Sequence, residues 1–292
     1  MSRPLPPSQL WWAPEIPIQS AAGLRYVEAG RGRPLLLLHT MRTQLDYFHK
    51  VFPRYATRFR VLAPDLPGHG WSNIEPGDYS PEFFCSRLSA LLTTLQLEDV
   101  VIAGESIGAV LALLLATRQP ERVAGVVAVN PYDYGDARSG IRRSSLLANF
   151  YFGAFEVPWL GPLVARAQAR PAFLKIFEGG VRHRGAWSPR LVDAMLEVGR
   201  REGQAAAMLA LFRGWRGWMA ARAEYAHLKV PALLAHGDHD WSRPSEREED
   251  AAAIPGASRV QLAETGHFAS VDSPEGVAEV VEAFALNREP AR

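Results

Sequence analysis

The sequence has a single cysteine, Cys85, among 292 residues, so an internal disulfide framework and a Cys-x-x-Cys site are both excluded. Its charges nearly cancel, at a formal net charge of +1, and no basic field points to a nucleic-acid partner. No apolar run approaches the roughly 18 residues of a membrane span, so we expect no stable membrane insertion. Residues 1–17 lack a basic head followed by an apolar run, and we therefore expect no signal peptide and a cytoplasmic protein.

The central motif of the chain is Gly-Glu-Ser-Ile-Gly at residues 104–108. The small apolar residues 100–103 before it predict a buried strand, and residues 109–118 after it predict a helix. A strand that turns at once into a helix strains the central residue and raises its side chain above the sheet edge. We therefore predict that Ser106 stands at a helix N-terminus, which favours developing negative charge. The alternative is a plain strand–helix turn with a solvated serine.

Residues 34–129 alternate between strand-like and helix-like stretches. Apolar runs predict buried strands at 34–38, 60–63, 100–103 and 123–129. Amphipathic stretches around 45–56 and after Ser80-Pro81 predict helices between them. Such alternation is typical of a parallel sheet with helices on both faces. Ahead of this region, residues 24–29 are expected to form a hairpin that leads into the first of these strands.

Residues 132–227 interrupt this alternation, because they contain helix and turn signals and many aromatic side chains but no clear strand. One helix is predicted to begin at Ser188-Pro189. Another is predicted over residues 204–223, although Gly214 and Gly217 weaken it. This pattern indicates an inserted helical region.

Strand-like sequence returns after the insertion, at residues 230–235 and 260–262, with helices over 246–253 and after Ser273-Pro274. The expected organisation is therefore an α/β core with an inserted helical cap. The core is formed by residues 1–131 and 228–292, and the cap by residues 132–227.

Functional groups of an open parallel sheet collect beyond the carboxyl ends of its strands. Ser106, Asp240 and His267 each follow such an end. The motifs around the strand ends are Leu-Leu-Leu-Leu-His39, Asp65-Leu-Pro-Gly-His-Gly70, Gly104-Glu-Ser-Ile-Gly108, Gly237-Asp-His-Asp240 and Gly266-His267. With these motifs the chain resembles the α/β-hydrolase fold superfamily, in its serine esterase-like branch with a helical cap.

The resemblance implies a triad of Ser106, His267 and Asp240. A serine hydroxyl needs a base to become a nucleophile, and His267 would take its proton and later return it to the leaving group. A carboxylate behind the imidazole would fix its tautomer and stabilise the imidazolium. The resemblance places that carboxylate at Asp240, with Asp238 and Asp133 as competitors.

The resemblance also implies an oxyanion hole with two amide donors, those of Ile107 and Met41. Thr40 stands where relatives commonly have glycine. The neighbouring Arg42 is either a salt-bridged or exposed side chain, or a cation that holds a carboxylate or phosphate of the substrate. Glu105 and Trp215 are further candidates for substrate binding.

The resemblance also implies that His39 and His69 occupy positions that are structural in the fold. The run from His236 to Asp240 has residue types that bind metals, but neighbours on an extended turn point in different directions and no distant ligand completes a set. We expect neither a metal nor a cofactor.

Aromatic residues of the cap predict an apolar pocket wall, which favours an acyl or aromatic substrate. We therefore predict a serine hydrolase that cleaves a small or medium, largely apolar ester, with a small molecule as its partner. Hydrolysis of thioesters or carbon–carbon bonds, acyl transfer, and non-catalytic ligand binding remain alternatives. The resemblance disfavours haloalkane dehalogenase and epoxide hydrolase chemistry, because those relatives have aspartate where this chain has Ser106. The oligomeric state is not predicted.

Overall fold

The structure is a computed structural model that describes residues 5–167, 169–254 and 256–287. The strands in these residues are β1 Ile18–Ala21, β2 Leu24–Ala29, β3 Pro34–Leu38, β4 Arg60–Pro64, β5 Val100–Glu105, β6 Val123–Val129, β7 Ala232–Gly237 and β8 Ser258–Leu262. They form one sheet in the order β1-β2-β4-β3-β5-β6-β7-β8. The pairs β1–β2 and β2–β4 are antiparallel, and the others are parallel.

The α-helices of the described residues flank this sheet or follow β6. They are α1 Phe52–Tyr55, α2 Pro81–Thr94, α3 Ile107–Arg118, α4 Ser139–Ser144, α5 Leu146–Gly153, α6 Gly161–Arg166, α7 Arg170–Glu178, α8 Pro189–Gly199, α9 Gln204–Arg213, α10 Trp215–Ala221, α11 Pro244–Ala253, α12 Ala269–Asp272 and α13 Pro274–Leu286. The predicted α/β fold, a mostly parallel sheet flanked by helices, is thereby confirmed. None of the helices in the described residues is long and apolar enough to cross a membrane.

The predicted hairpin into β3 is wrong. β2 pairs with β4, and β3 lies between β4 and β5. The reason is the apolar composition of β3: four of its five residues are leucines that are fully buried, so the strand takes a central place with parallel neighbours on both sides. The hairpin joins β1 to β2 instead, through Ala22 and Gly23, which both have positive φ.

Two predicted helices are shorter than expected. Residues 45–56 form a 3₁₀ turn at Leu45–Phe48 and the separate helix α1, whose first turn contains Pro53. The helix expected over 204–223 divides at Gly214 into α9 and α10. A Cβ on Gly214 would lie 3.2 Å from the carbonyl oxygen of Asp78. The glycine at the break therefore lets the chain around Asp78 approach the helix closely.

Residues 132–227 contain α4 to α10, and no strand occurs among their described members. We retain this segment as the proposed cap. It packs on the rest of the chain through aromatic contacts, such as those of Phe177 and Trp187 with Phe268, at ring-centroid distances of 5.3 and 4.9 Å. The cap segment thus lies against the His267 loop that follows β8.

A buried ion pair fixes the loops that follow β3 and β4. Arg25 donates to Asp65 at 3.0 Å, and both side chains are almost fully buried. Asp65 also accepts the amides of Leu45 and Trp71, each at 2.7 Å. The carboxylate therefore ties the residue 39–45 loop to the residue 65–72 loop, and the first of these carries Thr40, Met41 and Arg42.

Candidate active site

Ser106 connects β5 directly to α3. Its backbone lies at φ 58° and ψ −120°, a region that a residue with a Cβ rarely adopts. The flanking glycines permit this turn, because a Cβ on Gly104 would overlap the carbonyl of Gly108, and a Cβ on Gly108 would overlap that of Leu38. The crowded backbone thus holds Ser106 at the junction, as the sequence context predicts.

Ser106, His267 and Asp240 form a hydrogen-bonded chain. The Oγ of Ser106 lies 3.0 Å from Nε2 of His267, and Nδ1 of His267 lies 2.6 Å from Oδ1 of Asp240. All three side chains are buried. A hydroxyl, an imidazole and a carboxylate are thus in contact in the order that general-base catalysis would require.

The ionisation of Asp240 sets the tautomer of His267. Burial acts to raise the pKa of Asp240, but the charge and hydrogen bond of His267 and the donors of Ser242 outweigh it, so the pKa lies below its usual range. Ser242 donates its amide at 2.9 Å and also its hydroxyl to Oδ2. An ionised carboxylate only accepts, so Nδ1 of His267 carries the proton and Nε2 can accept one from Ser106.

Aromatic rings enclose the imidazole of His267. Trp241 stacks on it at a centroid distance of 4.0 Å and an interplanar angle of 10°, and Tyr132 meets it edge-on at 5.7 Å. These rings restrict the orientation of the imidazole and exclude water from its faces. Sequence reasoning missed both residues, although Trp241 directly follows Asp240 and Tyr132 comes two residues after Asn130, at the end of β6.

The competing carboxylates lie away from the imidazole. Asp238 accepts the amides of Glu264 and Thr265, each at 2.9 Å, and so closes the turn after β8. Asp133 is fully buried beside Asp250, a residue of α11. Neither is hydrogen-bonded to His267, whose Nδ1 is engaged with Asp240.

The loop after β3 supplies the other side of the candidate oxyanion hole. Thr40 and Met41 line the same cavity as Ser106. Ile107 opens α3, so its amide has no carbonyl one turn earlier in the helix to bond. These placements are compatible with amide donors at Met41 and Ile107, which stay a prediction.

His39 holds this loop through two hydrogen bonds. Its Nε2 accepts the amide of Leu66 at 2.9 Å, so its proton is on Nδ1, which donates to the carbonyl of Thr40 at 2.8 Å. Burial lowers the pKa of His39 to about 4 and that of His69 to about 3. Both histidines are therefore neutral at pH 7, as hydrogen-bonded parts of the scaffold.

A largely apolar cavity opens beside Ser106. The proposed cap supplies its far wall, and the strand-end loops supply the rest. Its lining residues are Thr40, Met41, Arg42, Ser106, Tyr132, Ile141, Ser144, Ala148, Phe152, Ile176, Phe177, Trp241, His267 and Phe268.

The three substrate-binding candidates occupy different places. Arg42 lines the cavity at a positive φ of 67°, and its guanidinium lies 5.3 Å from the ring centroid of Phe173. Trp215 is buried outside that lining and stacks on Trp218 at 5.8 Å. Glu105 is turned away from the cavity and accepts hydrogen bonds from other groups. We therefore retain only Arg42 as a candidate for contact with substrate.

The turn from His236 to Asp240 also brings together possible metal ligands. Ligand atoms of Asp238, His239 and Glu264 lie within 4.8 Å of one another. Sequence reasoning did not anticipate Glu264, which comes from the turn after β8. Both carboxylate oxygens of Asp238 already accept backbone amides, and we assign no metal to this exposed group.

The family model described as "alpha/beta hydrolase fold" matches residues 33–274. This chain belongs to the alpha/beta hydrolase fold family. The match spans the central and C-terminal strands, the strand–helix turn at Ser106 and the His267 loop.

Several known proteins resemble the chain over most of its length. An uncharacterized protein of Mycobacterium tuberculosis is 28% identical over 269 residues, which cover 90% of this chain and 78% of that protein. An uncharacterized hydrolase of Saccharomyces cerevisiae is 26% identical over 296 residues, covering 94% and 97%. The crystal structure of a putative acyltransferase from Salmonella enterica superposes with a TM-score of 0.81 at 17% identity, covering 99% and 100%. At that identity the structural match supports the fold alone.

The contacts of this alpha/beta hydrolase site predict unequal roles for two nearby aspartates. Asp240→Asn should lower kcat on the order of 10⁴-fold, because an amide can hold His267 in the wrong tautomer. Asp238→Asn is the matched control and should change kcat little, since Asp238 supports only a turn. Steady-state kinetics and thermal unfolding of both variants test this. A larger loss in folded Asp238→Asn would contradict the assignment.

The buried pair Asp133 and Asp250 predicts a pH-dependent stability. Burial, followed by the neighbouring charge of Asp250, raises the pKa of Asp133 to about 7, and burial likewise raises that of Asp250 to about 7 against the effect of Arg222. Since the unfolded pKa is about 3.9, the folded state binds more protons between about pH 4 and 7. Its stability falls as pH rises through that window.

Asp133→Asn should therefore gain stability relative to the wild type between pH 5 and 7, by up to about 1.4 kcal/mol per pH unit. The gain should level off above about pH 8. Urea unfolding at pH 5, 6, 7 and 8.5 measures it. Asp136→Asn is the control, because hydrogen bonds to Arg142 and Arg138, which outweigh the effect of burial, keep the pKa of Asp136 low. A difference that does not vary with pH would refute the prediction.

Proposed function

We propose that this protein is a serine hydrolase that cleaves a small or medium, largely apolar carboxylic ester through an acyl-enzyme intermediate. The observation that carries the proposal is the contact of Ser106 with His267 and of His267 with Asp240, at the edge of a mostly apolar cavity. Family membership supports hydrolase chemistry in general. The ester and the roles of the three residues are our inference.

In the proposed acylation, Oγ of Ser106 attacks the ester carbonyl carbon while Nε2 of His267 takes the hydroxyl proton. Asp240 stabilises the imidazolium that forms. The carbonyl oxygen becomes an oxyanion, for which the amides of Ile107 and Met41 are the proposed donors. When the tetrahedral intermediate collapses, the carbon–oxygen bond to the alcohol breaks and His267 returns the proton to that alcohol.

Deacylation repeats the same sequence with water. His267 removes a proton from a water molecule, which attacks the acyl carbon on Ser106. The ester bond to Oγ breaks, Ser106 recovers a proton, and the carboxylic acid leaves. No cofactor is needed at either step.

The cavity lining supports an apolar acyl group. Phe152, Ile176 and Phe177 of the proposed cap face the same space as Ser106. Aliphatic and aromatic walls with few polar groups bind apolar ligands by burial and discriminate weakly between similar chains. Short and medium acyl chains are therefore the proposed substrates.

Acyl transfer is the second candidate function. The Salmonella protein of the same fold is called a putative acyltransferase, and an acyl-enzyme can be attacked by an alcohol or thiol as well as by water. None of the described lining residues is assigned to the binding of such an acceptor. Hydrolysis is therefore the primary proposal, and acyl transfer would appear as acceptor-dependent product in the same assay.

Ser106→Ala is expected to remain folded and to lose hydrolysis of p-nitrophenyl esters to background, because no nucleophile replaces the hydroxyl. A serine-directed phosphonate should label the wild-type protein once, at Ser106, and should not label the variant. Mass spectrometry and ester turnover measure the two effects. Near-normal turnover in the variant would disprove the nucleophile, and labelling without turnover would favour a ligand-binding protein.

Arg42 is proposed to favour substrates with an anionic group near the scissile carbonyl, because it lines the cavity together with Met41 and Ser106. For Arg42→Met, kcat/KM for an anionic ester should fall roughly ten-fold or more, as expected for loss of a charge-assisted contact of about 1.5–3 kcal/mol. A neutral ester matched in size is the control and should change little. Equal changes for both esters would assign Arg42 a structural role.

A further inference from the structure

Glu105 directly precedes Ser106, but its side chain lies on the opposite side of the strand end. Side chains alternate along a strand, so the turn that brings Ser106 to the cavity sends Glu105 into the protein. The residue is 2% exposed. Its surroundings are otherwise apolar and include Leu37, Phe48 and Val129. A buried carboxylate in such a place is costly unless donors satisfy it.

Three donors satisfy the carboxylate of Glu105. Tyr47 donates its hydroxyl to Oε2 at 2.6 Å. Ser270 donates its amide at 3.1 Å to Oε1 and also its hydroxyl to the same oxygen. Burial raises the pKa of Tyr47 well above its usual range, as does the adjacent Glu105, so Tyr47 remains protonated. All three groups donate to the carboxylate as an acceptor, and such donors favour its ionised form.

Ser270 lies three residues after His267, in the first turn of α12. The same segment is fixed at its other end by Asp272, which accepts the amide of Gly266 at 2.7 Å, and by Asn130, which donates to the carbonyl of His267 at 3.0 Å. Glu105 thus joins the residue before the candidate nucleophile to the loop that carries the candidate base.

The negative charge of Glu105 also acts on His267. Burial raises the pKa of Glu105 above its usual value, and the donors of Ser270 and Tyr47 and the charge of His267 reduce that rise without cancelling it. The interaction is reciprocal, so an ionised Glu105 favours the imidazolium. Tyr47 and Tyr55 are the titratable groups beside Glu105, and Asp240 is the one bonded to His267. The charged groups around the two tyrosines are Asp272, Glu282 and Arg54.

We propose that Glu105 is a positioning residue of the hydrolase site. Its carboxylate holds the His267 loop through Ser270, and its charge stabilises the imidazolium. Asp240 acts by direct hydrogen bond, and Glu105 acts by charge and by loop position. The inference rests on the proposed function for its kinetic consequence, but the coupling of Glu105 to His267 is measurable without turnover.

The test compares Glu105→Gln, which removes the charge, with Glu105→Asp, which keeps it. In Glu105→Gln the midpoint of the His267 imidazole titration, followed by proton NMR, should move to lower pH by roughly one unit. The acid limb of the kcat/KM profile for p-nitrophenyl butyrate should move with it, and kcat should fall roughly ten-fold. Glu105→Asp should keep a midpoint near that of the wild type. A His267→Gln variant assigns the resonance.

Tyr47→Phe provides an independent variant should Glu105→Gln not fold. Loss of the hydroxyl donor raises the pKa of Glu105 further and so reduces its charge, and the midpoint should move to lower pH, as in Glu105→Gln. Shifts of the same sign in both variants, with none in Glu105→Asp, would not arise from loosened packing alone. Unchanged midpoints in the folded variants would overturn the inference. If the wild type cleaves no ester while the midpoints still move, the proposed function fails and the coupling of Glu105 stands.

Discussion

The arrangement of the candidate site depends on the crowded backbone at the junction of β5 and α3. Gly104 and Gly108 allow this crossing, because any side chain at either position would overlap a neighbouring carbonyl. The strain is concentrated at Ser106, whose positive φ directs the side chain toward the cavity. The same turn buries Glu105 on the other side of the strand. One local constraint therefore places both a candidate nucleophile and a buried charge.

The His267 loop is held from several independent elements. Asp240 follows β7, Asn130 follows β6, and Glu105 ends β5, and each bonds to the loop through different atoms. Such over-determination suits a base that must face a serine hydroxyl within hydrogen-bond reach. We therefore expect that loss of one of these bonds changes the position of the His267 imidazole less than it changes the charges around it.

Aromatic packing connects the proposed cap to this loop. Trp241 stacks on His267, and Phe268 stacks on Phe177 of α7. The rings that line the cavity and the rings that orient the imidazole thus belong to one aromatic cluster. We therefore expect that a substitution that enlarges the cavity near Phe177 also changes the packing of the imidazole, through Phe268.

The sequence by itself determined those features that depend on neighbouring residues. The strand–helix turn at Ser106, the buried strands and the N-cap residue Ser80 of α2 all arise from adjacent residues whose pattern is visible in the chain. The α/β fold followed from their alternation. Family resemblance, rather than pattern alone, selected Asp240 over Asp238.

Only the tertiary structure decided the features that depend on distant partners. The hairpin was misassigned because strand order is set by which apolar strand becomes central, and β4 enters between β2 and β3. Glu105 is next to Ser106 in the chain, yet its side chain is committed to Tyr47 and Ser270. Asp133 follows the end of β6 and is the neighbour of Tyr132 in the chain, but folding buries it beside Asp250. Burial and charge act through space, and the partners that set them are separated along the chain.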